Sequence, residues 1–134
     1  MEQITRINHY GLRVKDFEVS KAFYAQLGFN YIAGPIGPEP VAIIEHPSGV
    51  NINFILNAAD TDTNVLMDIP TKHTGYTHVA LEVTSAAAVI TRLAELNIPL
   101  SGEPIKHVNG TSFFIRDPDR NVVEFIEYKG LDIH

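Results

Sequence analysis

The chain has no cysteine. That excludes a disulfide framework and thiolate zinc ligands, and it is compatible with a reducing compartment. A basic cluster is also missing. Ten Lys and Arg stand against sixteen Asp and Glu, a net charge of −6 with His neutral. The electrostatic footprint of a nucleic-acid binder is therefore absent. Mild acidity favours solubility and says little about a substrate. No apolar run approaches the roughly 18 residues of a spanning helix. No basic-then-apolar signal opens the chain. There is no glycine-rich phosphate loop, no Ser-His-Asp order and no cysteine nucleophile. The expectation is a soluble protein of the cytoplasm. What is there is ordinary globular composition, 45% hydrophobic and 19% charged over 134 residues. That is enough chain for one domain, residues 1–134, with a real core.

The informative stretch is IRDPDRNVVEFIEY, Ile115 to Tyr128. Two apolar strands flank a turn built on Asp117, Pro118, Asp119 and Asn121. Asp and Asn bond their own backbone in turns, and Pro fixes φ. Glu124 lies among Val122, Val123, Phe125 and Ile126. A carboxylate in so apolar a run is either the polar position of a half-solvated strand or a paired or metal-bound group.

The chain contains this segment twice. IIEHPSGVNINFILN, Ile43 to Asn57, lies on Phe114 to Tyr128 without a gap, at an offset of 71 residues. Phe54 falls on Phe125, and Asn53 on Glu124. INHYGLRV, Ile7 to Val14, lies on YTHVALEV, Tyr76 to Val83, at an offset of 69. His9 then falls on His78. The fold expected is α+β, two βαβββ modules over residues 4–57 and 76–128. Residues 58–75 are the connection and 129–134 a tail.

Within the first module, Ile4 to Val14 reads as a strand with His9, Gly11 and Arg13 on one face. Asp16 offers an N-cap and Gly28 a C-terminal glycine. Between them Val19, Ala22, Phe23, Gln26 and Leu27 follow helical spacing, with Tyr24 at the edge. Phe29 to Ala33 is a short strand. Gly34 to Pro40 is too punctuated for regular structure. Val41 to Glu45 and Val50 to Asn57 make a hairpin. The connection, with Val65 to Ile69 as a short extended piece or a lid, is long enough to be functional or a plain linker.

The second module repeats the order. Tyr76 to Val83 is a strand and Ser85 an N-cap. Val89, Ile90, Leu93 and Leu96 share a helical face, and Asn97 replaces the terminal glycine. Ile98 to Leu100 starts a strand. Thr111 to Arg116 and Asn121 to Tyr128 form the last hairpin. His46 reads as a surface turn, and His73, His107 and His134 as solvated loop or tail residues. Tyr10, Phe54 and Phe114 read as core packing before pocket lining.

Equivalent placement in two modules brings His9, His78 and Glu124 toward one approximate twofold axis. Two imidazoles and a carboxylate form the facial triad that suits Fe(II), and also Mn, Ni, Co or Zn. With INHYGLRVKDFEVSKAFYAQLGF opening the chain and DPDRNVVEF closing it, the sequence resembles the vicinal oxygen chelate superfamily over essentially its whole length. That superfamily includes glyoxalase I, extradiol dioxygenases, fosfomycin-resistance enzymes, methylmalonyl-CoA epimerase and bleomycin-resistance proteins. Its closing turn usually has Gly where this chain has Arg120.

The resemblance implies curved mixed sheets enclosing a divalent metal at His9, His78 and Glu124. Dimers are common in the family, and some share ligands between chains, so a homodimer is the expected assembly. Glyoxalase I carries a further Glu ligand and base where this chain has Asn53. Asn53 and Glu124 are thus the expected catalytic positions, and Asn53 cannot be a carboxylate base. Glyoxalase-like lyase or isomerase chemistry on a substrate with adjacent oxygens is the broadest expectation. An extradiol dioxygenase is the alternative, although the strand before Glu124 offers Ser112, Phe113 and Phe114 and no Tyr. A metal-free small-molecule binder is the third reading. Arg116, Arg120 and Lys106 are cations with no assigned role.

Overall fold

A computed structural model describes residues 1–129. The chain divides after Thr61 into two compact units. Each has one helix and a four-stranded mixed sheet. The expected tail beyond residue 129, with His134, lies outside the described residues.

The first unit runs β1 (Tyr10–Arg13), α1 (Phe17–Gln26), β2 (Asn30–Ile36), β3 (Val41–Glu45) and β4 (Asn51–Ile55). Its sheet order is β1-β4-β3-β2, with β1 parallel to β4 and the other pairs antiparallel. The opening strand is shorter than expected. β4 begins at Asn51 and the β1 register starts at Tyr10↔Ile52, so residues 4–9 have no strand partner and His9 precedes the strand.

Asp16 caps α1 by accepting the Val19 N–H at 3.1 Å. Gly28 follows the helix at φ +98, which a side chain would resist. The buried face of α1 is rotated from the expected stripe. Ser20 and Tyr24 are buried while Val19 is half exposed. Aromatic bulk decides this. The Tyr24 ring packs on Phe54 and Phe29, and Phe17 reaches Phe54 and Tyr31. Ala42, Ile44, Ile52 and Phe54 complete this core, and burying one such ring contributes about 1.5–3 kcal/mol.

β2 corrects a second expectation, because it runs through Gly34 and Pro35 to Ile36. It is an edge strand with register shifts between Tyr31 and Ala33 and between Ala33 and Ile36. Edges and bulges tolerate proline, which has no N–H to give a ladder. Gly34 is required there, since a Cβ would meet the Val41 carbonyl oxygen at 2.4 Å. The Tyr31 hydroxyl donates to the Gly34 carbonyl.

The second unit repeats the plan with β5 (His78–Glu82), α2 (Ala86–Glu95), β6 (Ile105–His107), β7 (Gly110–Arg116) and β8 (Val122–Tyr128). Its order, β5-β8-β7-β6, is the same. Ser85 accepts the Ala88 N–H at 3.1 Å as N-cap. A second cap arrives from the sheet, where Glu127 accepts the Ala86 N–H. Asn97 sits at φ 59, in the left-handed region expected of it. Leu93 is buried, with Val89, Ile90 and Leu96 partly covered beside it.

Ile98 does not start a strand. It is buried, and Pro99 follows it, so β6 waits until Ile105. Residues 65–67 form a turn rather than an extended piece. Asn64 organises that turn, its side-chain oxygen accepting the Leu66 and Met67 N–H groups.

Candidate functional site

Strand alternation places side chains on two faces. In the second unit Phe113, Ile115, Val123 and Phe125 are buried on one face, the face from which Glu127 caps α2. The other carries His78, Ala80, Glu124, Ser112, Phe114 and Arg116, as the cross-strand registers require. In the first unit Ile52 and Phe54 point to α1, while Asn51, Asn53 and Gly11 share the opposite face.

The repeat holds residue for residue at the expected positions. Asn53 stands between Gly11 and Ile43, and Glu124 between Ala80 and Phe114. Their neighbours are the pairs that the sequence echo matches. Thus Asn53 and Glu124 occupy the same place in their own sheets. Asn51 shares the Asn53 face, where its amide donates to Glu45 at 3.5 Å.

Two of the expected ligands meet. His78 Nε2 lies 3.0 Å from Glu124 Oε1. The ring lies edge-on to Phe114, centroids 6.1 Å apart. Phe114 is therefore a wall of this face rather than core. His78 Nδ1 lies 2.9 Å from the Thr77 hydroxyl. His9 is exposed in the first unit, with Nδ1 2.8 Å from Asn8 Oδ1. A cavity of about 250 Å³ opens beside it, lined by Arg6, Asn8, His9, Tyr10, Gly49 and Asn51 among others. Tyr10 thus lines a pocket, where core packing was the expectation.

Among the described residues no group of three or more His, Cys, Asp or Glu side chains is gathered to hold a metal ion. The donor chemistry nevertheless fits the cation that the resemblance implies. Histidine ligands characteristically engage their second ring nitrogen in a hydrogen bond, and both histidines do so here through Nδ1. The ligand type, imidazole with carboxylate, suits Fe, Mn, Ni, Co and Zn alike.

The sequence reading missed His107. It is on β6, not in a loop, with Nε2 2.7 Å from the Ser112 hydroxyl. Ser112 is one alternation from Phe114 on the face that bears Glu124. A His and a Ser five residues apart across a hairpin were the only available signal. His46 is in its turn as expected, bonded to Ser48 and packed on Phe29.

Charge at the end of this sheet is organised by Asp68. Arg120 Nε donates to its carboxylate at 2.8 Å and Arg116 at 2.9 Å. These bonds, Arg120's first, hold Asp68 down to about 2 from an ordinary 3.8, against the opposing effect of desolvation. Arg120 takes φ 63, and its carbonyl accepts from Asn64 and Arg116. The two arginines are therefore committed to fastening the connector, and Lys106 bonds Thr111.

Comparison with known proteins agrees with this architecture. Residues 6–125 match the model of the Glyoxalase/Bleomycin resistance protein/Dioxygenase superfamily. The chain is 28% identical over 137 residues to the lactoylglutathione lyase of Neisseria meningitidis serogroup A, covering 95% of this chain and 94% of that one. A glyoxylase/bleomycin resistance protein/dioxygenase domain from Frankia sp. EAN1pec superposes with a TM-score of 0.76 at 16% identity, covering 98% of each chain. An antibiotic binding protein from Streptomyces sp. CB03234 superposes with a TM-score of 0.72 at 21% identity, over 95% of this chain and 98% of that one. No helix among the described residues is long and apolar enough to cross a membrane. With duplicated βαβββ units in the same strand order and a family match across nearly its whole length, the chain belongs to the Glyoxalase/Bleomycin resistance protein/Dioxygenase superfamily.

Proposed function

We propose that the protein is a metal-assisted lyase or isomerase acting on a small substrate with two adjacent oxygens. The observation that carries this reading is the approach of His78 Nε2 to Glu124 Oε1 at 3.0 Å, on the face turned away from the core. The pair leaves a carboxylate and an imidazole side by side on a partly exposed sheet face, the residue types that a divalent cation takes. A divalent cation held at His78 and Glu124 would supply Lewis-acid polarisation of the substrate oxygens, with His9 the further ligand that the resemblance implies.

The chain's own residues divide the remaining work. Asn53 offers a neutral amide, one group that donates and one that accepts, to a substrate oxygen. It cannot take a proton, so Glu124 is the carboxylate available for that step. Phe114 gives the site an apolar wall. Loss of the carboxylate at position 53 separates this chain from the glyoxalase pattern, so its substrate is expected to differ from a glutathione hemithioacetal. A homodimer goes with this reading, on the habit of the family, and the cytoplasm is the compartment proposed for it.

A dioxygenase is the second reading, and His107 favours it. An imidazole held by Ser112 on the Glu124 face is an acid–base group that a ring-cleaving reaction would use. The discriminating experiment is elemental analysis of protein purified without chelator and without a nickel column. A stoichiometric divalent ion in wild type that is lost in His78→Ala and Glu124→Ala supports the proposal, and iron as that ion favours the dioxygenase. Metal-free protein that binds small aromatic ligands equally well in all three forms would overturn both in favour of a binder.

A further inference from the structure

The first unit holds a polar cavity to which the proposed reaction assigns no occupant. β4 begins only at Asn51, and the β1 register one position further on, at Tyr10↔Ile52. Residues 6–9 therefore run on beyond the ladder, and the space between them and residues 48–51 is the cavity of about 250 Å³. At roughly 30 Å³ per water that is the volume of about eight waters, or of one small organic acid. The lining carries one permanent charge, the Arg6 guanidinium, and no carboxylate. Arg6 donates to the Ile7 carbonyl at 3.2 Å, one bond from a fork of five N–H donors. Its two amides are already oriented. Asn8 Oδ1 lies 2.8 Å from His9 Nδ1, which leaves the Asn8 NH2 to donate elsewhere. Asn51 gives its NH2 to Glu45 at 3.5 Å, which leaves its carbonyl oxygen to accept.

We infer that this cavity is a binding site for a small hydroxylated monocarboxylate, recognised by Arg6. One cation balances one unit of negative charge. The planar guanidinium meets both oxygens of a carboxylate through parallel N–H bonds. The Asn8 NH2 is a further donor to the same acid group, and the Asn51 oxygen accepts from a ligand hydroxyl. Ile7 and Val50 border the space with apolar surface for the carbon chain. A dianion such as phosphate brings a second charge that the lining does not match. A neutral polyol leaves Arg6 without its counter-charge. Every lining residue belongs to the first unit, and the site requires neither a metal nor the reaction proposed above.

The test uses full-length ¹⁵N-labelled protein with glycerate as the probe, and propionate, glycerol and inorganic phosphate beside it. Glycerate should shift the backbone amides of residues 6–8 and 48–51 saturably, with a dissociation constant of about 1–10 mM for so small a ligand. Propionate, which lacks hydroxyls, glycerol, which lacks charge, and phosphate should each bind several-fold more weakly. Arg6→Gln should weaken glycerate binding about tenfold, the loss of one ion pair. Arg6→Lys, which keeps the charge and loses the fork, should fall between. Lys72→Gln removes an exposed cation that does not line the cavity and should bind as wild type does. Glycerate that shifts none of these amides at about 100 mM would overturn the inference. So would equal affinity in Arg6→Gln, an equal loss in Lys72→Gln, or phosphate or propionate binding as tightly as glycerate.

Discussion

The Glu127 carboxylate reaches from β8 to accept the Ala86 backbone N–H at 2.6 Å, at the first residue of α2. Sheet and helix are thereby joined where the helix leaves its N–H groups unpaired and its dipole favours negative charge. The Ala86 bond is the first cause of the lowered Glu127 pKa, with Lys129 assisting and desolvation opposing. A depressed carboxylate contributes stability above its unfolded value near 4.5, and loses that contribution as pH falls through the folded value. Glu127→Ala should therefore melt several degrees below wild type at pH 7. The gap should close in acid, as thermal melts across pH 7 to 3 would show.

The face that α1 buries gives a second test. Phe54 is fully buried against Tyr24 and Phe17, whereas Val19 is half exposed. Phe54→Ala should cost about 3–5 kcal/mol in urea denaturation. Val19→Ala should stay within about 0.5 kcal/mol. Equal losses at the two positions would mean that the helix is rotated toward the hydrophobic stripe of the sequence.

Asp68 supplies a pH prediction of its own. Held at about 2 by Arg120 and Arg116, its contribution is complete above the ordinary 3.8 and is lost between there and about 2. Asp68→Asn should be less stable than wild type at neutral pH and equal to it at pH 2. Proteolysis between residues 62 and 70 should accelerate in the variant at pH 7. Denaturation midpoints at the two pH values, with limited digestion, decide the matter.

Activity is predicted at Asn53. Wild type should turn over the glutathione hemithioacetal of methylglyoxal weakly or not at all with Ni, Co or Zn. Asn53→Glu should gain activity, because it restores a carboxylate at the position equivalent to Glu124. Assays of both forms with each metal test this, and efficient wild-type turnover would refute it.

Much of the fold was legible because local chemistry and tertiary structure agree. Asp16 and Ser85 cap helices as caps do, and Asn97 ends one in the left-handed region. The echo of Ile43 to Asn57 in Phe114 to Tyr128 anticipated the equivalent placing of Asn53 and Glu124. What escaped depended on neighbours far along the chain. Ser20 is buried because α1 carries it against the sheet, and no local rule distinguishes it from an exposed serine. Ile98 looked like a strand residue but packs in place without a ladder. The part Glu127 plays could not be read locally, since its partner is 41 residues away. His107 needed the β6–β7 pairing to bring it to Ser112.

The matched positions 53 and 124 have a consequence for how such a chain changes over generations. Each lies on the sheet face turned away from its helix, where the core asks nothing of it beyond compatibility with a strand. An exchange of amide and carboxylate there alters the charge and basicity of that sheet face while leaving the side chains of Phe54 and Phe125 on the other. Duplication supplies two such positions, so one can hold its residue while the other drifts. The charge of a sheet face can thus change at a single codon without a change in the apolar face behind it.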